Sequence, residues 1–312
     1  MGPQAEVMDT TPTPEPSAPA GRVDRAASAA ALLRGGDGTT IDALIARGFS
    51  VAMIERFWRP LFAGIQLDET LHTSRRMFDL IFRTLALGDA AVPAGGMGAI
   101  PRQLAASLPA GTVHTGVAVE RLTGTEAGLV DGGRVEAEVV LVATDGPNAA
   151  RLLGLAPVGS KAASCVWFAA AEAPVAGPVL LLDGCGKGPA RNVAVLSNVA
   201  PRYAPPGQAL LAAAVPGRAN PTLEGEVRAQ MRGWFGPVVD TWRALRTDVI
   251  AHGQPHQGLH HSLKQAVSLG SGRYVCGDHR DTASLQGALF SGRRAGERIV
   301  ADLRRGTRPI SR

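Results

Sequence analysis

Apolar side chains recur at helical spacing over the first well-patterned part of the chain. Thr39 and Thr40 can cap a helix there. The apolar positions of the first stretch are Ile41, Leu44, Ile45, Ile54, Phe57 and Trp58. Pro60 interrupts it, and a second amphipathic stretch carries Met77, Leu80, Ile81, Phe82 and Leu85. Because these positions lie mostly three or four residues apart, the pattern predicts a small helical subdomain over residues 40–92.

From residue 93 onward, short apolar runs alternate with turn residues. One helix is predicted from the 93–97 segment to Leu108, and another over 223–235. Predicted strands cover residues 112–122, 139–142, 165–171, 179–182, 193–197 and 209–215. Residues 273–278 predict a strand that runs into a turn, followed by a long helix from Ser284 to Arg305. This order predicts an α/β fold of mixed α+β character, with a mixed or antiparallel sheet and helical cover.

Composition sets the expected domain boundaries. The 312 residues are 45% hydrophobic, which is enough to bury a sizeable core. Residues 1–22 are polar and proline-rich, and they predict a flexible tail that extends to residue 39. The remaining chain is expected to form the helical subdomain over 40–92, a domain built from 93–154 together with 271–312, and a sheet domain over 155–270.

Charge and cysteine usage exclude several classes of function. The chain carries a formal net charge of +5, but its arginines alternate with acids, so no nucleic-acid partner is predicted. Cys165, Cys185 and Cys276 lie too far apart for a zinc or disulfide motif. The sequence contains no leader-like apolar segment and no apolar run that could span a bilayer. We therefore expect a cytoplasmic protein without a transmembrane segment.

The histidines at 252, 256, 260 and 261 invite a metal-site interpretation. Gly253, Pro255 and Gly258 prevent one helical face from presenting them, and no acid or cysteine completes a ligand shell. We predict a solvated loop and no metal site.

The most specific chemical segment lies near the end of the chain. It reads Tyr-Val-Cys-Gly-Asp at 274–278 and, after a short polar loop, Ser-Leu-Gln-Gly-Ala-Leu-Phe-Ser-Gly-Arg-Arg-Ala at 284–295. This segment resembles the C-terminal FAD-binding signature of flavin amine oxidases, protoporphyrinogen oxidases and phytoene desaturases. A helix with a small first turn presents backbone N–H groups and a positive dipole end, which stabilise negative charge on a flavin.

The resemblance implies which residues bind FAD. In this family the acid corresponding to Asp278, after Gly277, accepts hydrogen bonds from ribityl or pyrophosphate-side hydroxyls. The residues whose backbone is implied to surround the flavin are Ser284, Leu285, Gln286, Gly287 and Ala288. The alternative to FAD binding is purely structural: Asp278 would be a turn residue, and the C-terminal helix would only cap a sheet. With the resemblance, residues 93–154 and 271–312 are expected to form a partial FAD-binding domain, and 40–92 and 155–270 to bind substrate.

Small residues form a stripe along the predicted C-terminal helix. Gly287, Ser291 and Ala295 lie at i, i+4 and i+8, with Gly292 beside them. Such a stripe allows another backbone to approach closely. In the family that neighbour is the cofactor and the glycine-rich unit, so here the stripe is expected to border an open cavity or to bind a partner chain.

Three weaker segments follow the order expected of the family. Gly95, Gly96 and Met97 resemble a loop beside the cofactor, although they could form any turn before a helix. Val119 resembles the family residue whose backbone contacts adenine, although an ordinary strand explains this segment as well. Ala143 and Thr144 resemble a strand end near the pyrophosphate, and their alternative is a buried parallel strand. The resemblance covers about residues 40–305.

One part of the family pattern is missing from the sequence. Such proteins begin with a strand, G-x-G-x-x-G and a helix, because the glycines let the pyrophosphate sit on the helix N-terminus. No such unit precedes residue 40. The glycine-rich segment at 184–188 is followed by a proline and a strand-like run, so we interpret it as a hairpin turn.

Two functional hypotheses follow. The first is an FAD-dependent oxidoreductase that oxidises a small, apolar molecule by hydride transfer to flavin. No side chain can be assigned as catalytic, and under this hypothesis the chain can be inactive on its own. An amine substrate is disfavoured because the chain has only Tyr203 and Tyr274 and no lysine in a matching segment. The second is a non-catalytic remnant, or one subunit of a split oxidase whose partner chain supplies the missing dinucleotide-binding unit.

Overall fold

The computed structural model describes residues 36–259 and 261–306. The predicted tail up to residue 35 and His260 therefore lie outside the described residues. The described helices are α1 (Thr40–Ala46), α2 (Val51–Met53), α3 (Arg59–Gln66), α4 (Arg75–Leu87), α5 (Ala99–Ala106), α6 (Gly146–Leu153), α7 (Leu196–Val199), α8 (Glu224–Phe235) and α9 (Leu285–Gly306). A π-helical turn, Ile54–Trp58, joins α2 to α3. None of the described helices is both long and apolar enough to cross a membrane.

The predicted helical subdomain is confirmed in α1 to α4. Thr39, Ser50 and Ser74 cap three of these helices by accepting hydrogen bonds from backbone N–H groups in the first turn. Trp58 lies at the centre of an aromatic cluster with Phe49, Phe57, Phe62, Phe78 and Phe82, at ring-centroid distances of 5.0–5.8 Å. These contacts give the subdomain its own apolar core.

The central feature is an antiparallel five-stranded sheet in the order β6-β7-β8-β5-β9. Its strands are β5 (Ser160–Ala170), β6 (Leu180–Leu182), β7 (Asn192–Val195), β8 (Ala209–Pro216) and β9 (Arg243–Pro255). Alternate residues of β5 and β8 are buried, and Val227 and Met231 of α8 belong to the same core cluster. The antiparallel arrangement and α8 agree with the sequence-based predictions.

The helical subdomain packs tightly on this sheet. Gly64 of α3 faces Asn192 of β7 so closely that a Cβ at residue 64 would overlap the amide. The Lys161 Nζ donates a hydrogen bond to the Gln66 carbonyl oxygen at 2.9 Å. The Gln254 Nε2 donates to the Ile65 carbonyl oxygen at 2.7 Å. Polar contacts therefore fix the end of α3 against β5 and β9.

A second, smaller sheet has the order β10-β11-β4. Its strands are β4 (Val140–Val142), β10 (Ser268–Gly270) and β11 (Arg273–Val275), and β4 pairs with β11 in parallel. Buried Val142 and Val275 pack with Ala149 and Leu153 of α6. This is the parallel element on which the candidate site is built.

A third sheet consists of β1 (Val119–Thr123), β2 (Glu126–Leu129) and β3 (Arg134–Glu136). The strand predicted over 112–122 is therefore too long at its start. Gly111 and Gly116 have positive φ, which interrupts an extended strand. The helix predicted to Leu108 ends at Ala106, and Ser197, predicted in a strand, lies in the short helix α7.

The glycine-rich segment at 184–188 forms part of a hairpin loop, as predicted. It connects the antiparallel strands β6 and β7. The buried Asp183 carboxylate accepts hydrogen bonds from the backbone N–H groups of Cys185 and Gly186 at 3.2 and 3.0 Å. The loop is thus organised by an internal carboxylate rather than by a helix N-terminus.

Candidate functional site

The ends of β4 and β11 bring four predicted site residues together. The Cys276 backbone N–H donates to the Val142 carbonyl oxygen at 3.0 Å, which continues the parallel pairing beyond the strand. Ala143 and Thr144 then follow β4, and Gly277 and Asp278 follow β11. A Cβ at residue 277 would lie 3.2 Å from the Thr144 carbonyl oxygen. Parallel α/β sheets bind ligands outside the carboxyl ends of their strands, so this edge is the expected place for a site.

Gly277 is required at its position for two reasons. Its φ of 145° lies in a region that residues with a side chain rarely adopt. A Cβ there would also approach ring atoms of His279 to 2.6 Å. The Ser291 hydroxyl fixes this backbone, because it accepts from the Gly277 N–H at 2.9 Å and donates to the Gly277 carbonyl oxygen at 2.7 Å.

The small-residue stripe of α9 is packed within the chain, so the expectation that it borders an open cavity is wrong. Ser291 and Ala295 are completely buried. A Cβ at Gly287 would overlap the Thr282 carbonyl oxygen. The close neighbour of the stripe is therefore the chain's own 277–284 turn, which folds back along the first turns of α9.

The other side of the α9 N-terminus is open. The Ser284 hydroxyl accepts from the Gly287 N–H at 3.0 Å, and the Ala288 N–H donates to the Ser284 carbonyl oxygen at 3.0 Å. The N–H groups of Leu285 and Gln286 have no acceptor among the described residues. Both side chains are exposed. The helix start thus presents free donors together with its positive dipole end.

A small, open pocket lies beside these strand ends. Its lining residues are Asp145, Gly146, Pro147, Ser160, His252, Gln254, Pro255 and Asp278. The pocket therefore joins the parallel strand ends to the beginning of β5 and the end of β9. Of this lining, sequence reasoning had assigned only Asp278 to a site.

His252 corrects one prediction. It lies within strand β9 and not in a solvated loop. Gly253 and Pro255 predict a loop by local pattern, whereas an edge strand tolerates both. His256 and His261 do lie outside strands and helices. Among the described residues, no group of His, Cys, Asp and Glu side chains could hold a metal ion.

Asp145 and Asp278 are the two carboxylates of the pocket, and their environments differ. Burial raises the pKa of Asp278 above its ordinary value, and the negative charge of Asp145 raises it further. Burial also raises the pKa of Asp145, but hydrogen bonds from the Asn148 backbone and side chain outweigh it and lower the pKa overall. Asp145 is the N-cap of α6. The Asp278 carboxylate accepts backbone hydrogen bonds from His279 and from its own N–H, which lower its pKa but do not outweigh burial.

The remaining predicted residues lie apart from this cluster. The loop with Gly95, Gly96 and Met97 is largely exposed, and the Tyr203 hydroxyl anchors it by donating to the Pro93 carbonyl oxygen at 2.8 Å. Val119 opens β1 of the separate antiparallel sheet. The contacts of these residues do not lead to Asp278, so their assignment to a cofactor stays a prediction.

Solved structures share the fold of this chain at low sequence identity. An Exiguobacterium sp. 255-15 protein assigned as a protoporphyrinogen oxidase matches with a TM-score of 0.66 and 16% identity, over 88% of this chain and 72% of that one. An oxidoreductase from Methanosarcina mazei matches with 0.62 and 18%, over 86% and 70%. Cyclohexylamine oxidase from Brevibacterium oxydans IH-35A matches with 0.59 and 13%, over 86% and 68%.

The sequence comparisons identify the family. No curated protein matches the chain. The family model of flavin-containing amine oxidoreductases, however, matches residues 15–300, which is most of the chain. The chain therefore belongs to the flavin-containing amine oxidoreductase family.

Proposed function

We propose that this chain forms the flavin-ring and substrate side of an FAD-dependent oxidoreductase that oxidises a small, apolar molecule by hydride transfer to the flavin. The observation that carries the proposal is the junction of the β4 and β11 strand ends with the open N-terminus of α9. Glycine, a half-buried carboxylate and free backbone donors meet there, beside a pocket that reaches the antiparallel sheet.

The residues present fit a flavin nucleotide. Gly277 lets the chain turn tightly against Thr144 and His279, which places Asp278 at the strand end. The Asp278 carboxylate lines the pocket and can accept hydrogen bonds from ribityl hydroxyls. The free N–H groups of Leu285 and Gln286 can stabilise negative charge on the reduced flavin ring. Bound FAD supplies the two-electron acceptor, and the protein positions substrate and excludes water.

The pyrophosphate side of an FAD site requires a strand, G-x-G-x-x-G and helix unit. We propose that a strand, G-x-G-x-x-G and helix unit on a partner chain adds to the open edge of β4. In the order β10-β11-β4, strand β4 is an edge strand, and its Leu141 is 37% exposed. An unpaired parallel edge is a template for an added strand. We also propose that residues 93–154 and 271–312 form a partial FAD-binding domain and that residues 40–92 and 155–270 bind substrate. A cytoplasmic location is likewise a proposal.

The preference for an apolar substrate over an amine is supported by the tyrosines and one lysine. The Tyr274 hydroxyl donates to the Asp302 carboxylate at 3.0 Å, and the Tyr203 hydroxyl is bound to the Pro93 carbonyl. Lys161 donates to the Gln66 carbonyl and lies near the Asp68 carboxylate. All three groups thus have protein partners that hold them in structural positions.

The test compares flavin retention by the chain alone and with a glycine-rich unit. We expect the chain alone to desalt colourless, because the pyrophosphate donors are missing. Co-expression with the N-terminal unit of a family member should give a stoichiometric yellow complex. Asp278→Ala in that complex should lose flavin while the complex still forms. A colourless complex with the native Asp278 would favour the second candidate, a non-catalytic interaction protein.

A further inference from the structure

His279 is a buried histidine without a hydrogen-bond partner. Its side chain is 1% exposed, and neither Nδ1 nor Nε2 has a partner among the described residues. A buried polar group in this state costs about 1–3 kcal/mol relative to a satisfied one. The position therefore demands an explanation other than packing, because an apolar side chain of similar size would avoid this cost.

Two glycines make room for this imidazole at the strand ends. A Cβ at Gly277 would approach the ring to 2.6 Å, and a Cβ at Gly146 would lie 3.3 Å from the His279 Cβ. Gly146 lines the pocket, and Gly277 directly precedes Asp278. The histidine is thus built into the junction that holds the candidate site.

The surroundings of His279 keep the imidazole neutral. Burial and, to a smaller extent, the positive charge of Arg280 lower its pKa to about 4, although the carboxylate of Asp145 opposes this shift. A neutral ring carries one N–H and has one acceptor nitrogen. The Asp278 Oδ1 lies 3.9 Å from Nδ1, which is too long for a hydrogen bond but within about 1 Å of one.

We propose that His279 is a positioning residue for Asp278, whose carboxylate rotates in solution to accept the Nδ1–H of the neutral imidazole, in the free chain as well as in its ligand-binding orientation. The second carboxylate oxygen then faces the pocket and its ligand. This inference rests on the proposed function of Asp278 as a ligand to the flavin nucleotide.

The movement that this requires is small and lies on the Asp278 side. The Asp278 side chain is 29% exposed, whereas the His279 ring is enclosed. The more exposed carboxylate is therefore the group that moves, starting from the backbone hydrogen bonds that it accepts from His279 and Asp278. The hydrogen bond also satisfies the buried donor, so the orientation that binds ligand gains the free energy that the orphaned N–H had lost.

Three substitutions separate positioning from packing. His279→Asn keeps an amide N–H near the position of Nδ1. His279→Gln moves its amide towards the position of Nε2, and His279→Leu keeps bulk without any donor. A purely structural role would favour the larger Gln and Leu side chains, whereas positioning through Nδ1 would favour Asn.

The first measurement needs no flavin. The pKa of Asp278 is followed by NMR of its carboxyl carbon in the full chain, with Asp278→Asn to assign the resonance. We expect the native chain and His279→Asn to agree, and His279→Gln and His279→Leu to raise this pKa by about one unit, which is a tenfold loss in acidity. Equal Asp278 titration in the native chain and His279→Leu would overturn the proposal.

The second measurement follows FAD retention in the complex with the glycine-rich unit. We expect His279→Asn to retain FAD within about threefold of native, and His279→Gln and His279→Leu to weaken it at least about tenfold, as expected when a charged hydrogen-bond acceptor loses its orientation. A pKa series that follows the donor, in a complex that never binds flavin, would support the Asp278–His279 pair and refute the proposed function. Retention that follows side-chain volume would refute the pair.

Discussion

At the scale of single residues, the site depends on a few positions where only one side chain is compatible with the backbone. Gly277 combines a φ of 145° with neighbours on two sides. The sequence predicted this glycine and Asp278 only through a family resemblance. Local pattern could not place Thr144 beside them, because 130 or so residues separate two strands whose parallel pairing is a tertiary property.

Gly277→Ala should destabilise the chain by about 3 kcal/mol, because it adds backbone strain and a contact with the His279 ring. Gly292→Ala is the matched control, since a Cβ there meets nothing within 4 Å. The control should be neutral or stabilising by up to about 1 kcal/mol, because alanine favours a helix. Urea unfolding of both variants measures the difference. Equal stability of the two variants would contradict the geometry at Gly277.

The pH dependence of stability should carry a contribution from His279. Its folded-state pKa of about 4 lies below the ordinary 6.5, so the unfolded chain binds a proton that the folded chain does not bind between these values. The free energy of unfolding should therefore fall as the pH drops through this window, by up to about 3 kcal/mol, and this group adds nothing further below it.

The matched variant is His279→Gln, in which the free energy of unfolding, measured with urea, should no longer fall across this pH range. An unchanged fall above pH 4 in His279→Gln would show that His279 is not its source.

Asp68 contributes in a lower pH window. Its pKa is lowered to about 2, because hydrogen bonds from Thr70 and Thr73 and the charge of Lys161 outweigh burial. Its stabilisation is present above the ordinary 3.8 and is lost as the pH falls towards 2.

At the scale of elements, amphipathic helices were predictable and an edge strand was not. α4 and α9 follow apolar spacing, and their existence was predicted correctly. β9 is mostly exposed on both faces, so it shows none of the alternation that identifies a half-buried strand. The sequence pattern therefore did not predict β9 as a long strand paired with β5. The stripe of α9 was recognised, but its neighbour was not, because a spacing does not say which segment packs on it.

Lys161 joins β5 to the helical subdomain, so Lys161→Met should weaken that junction. It removes the donor to the Gln66 carbonyl and the nearest cation to Asp68, at 4.0 Å. We expect a loss of about 3 kcal/mol, because the remaining carboxylate is largely buried and has lost its nearest counter-ion. Lys187→Met, at an exposed loop position, is the control and should change stability by less than about 0.5 kcal/mol. Thermal unfolding measures both, and Asp68→Asn combined with Lys161→Met should recover part of the loss.

Gly287→Leu should unfold or strongly destabilise the isolated chain. The added side chain would overlap the Thr282 backbone, which cannot move without opening the 277–284 turn. Gly296→Leu is the control on the same helix, because a Cβ at residue 296 meets nothing within 4 Å. Circular dichroism melts of the two variants decide the matter. A Gly287→Leu chain as stable as its control would mean that the turn does not pack on α9.

At the scale of the whole molecule, burial is uneven. The antiparallel sheet and the helical subdomain each enclose an apolar core. The parallel pair and α9 have small clusters and exposed apolar residues beside them. The sequence did not predict this asymmetry. It could not predict which surface the glycine-rich unit would leave uncovered, because exposure depends on how distant segments pack.

The exposed apolar surface of α9 should behave as a contact surface and not as ordinary surface. Leu285 is 62% exposed and is followed by exposed Leu289 and Phe290. Replacing all three by Gln should leave the thermal melt unchanged, reduce binding of a hydrophobic dye, and abolish flavin retention with the glycine-rich unit, because that unit would lose the surface it covers. Val51→Gln, at a position that is 76% exposed on α2, is the control and should retain flavin. Full flavin retention by the triple variant would show that the glycine-rich unit does not cover this face.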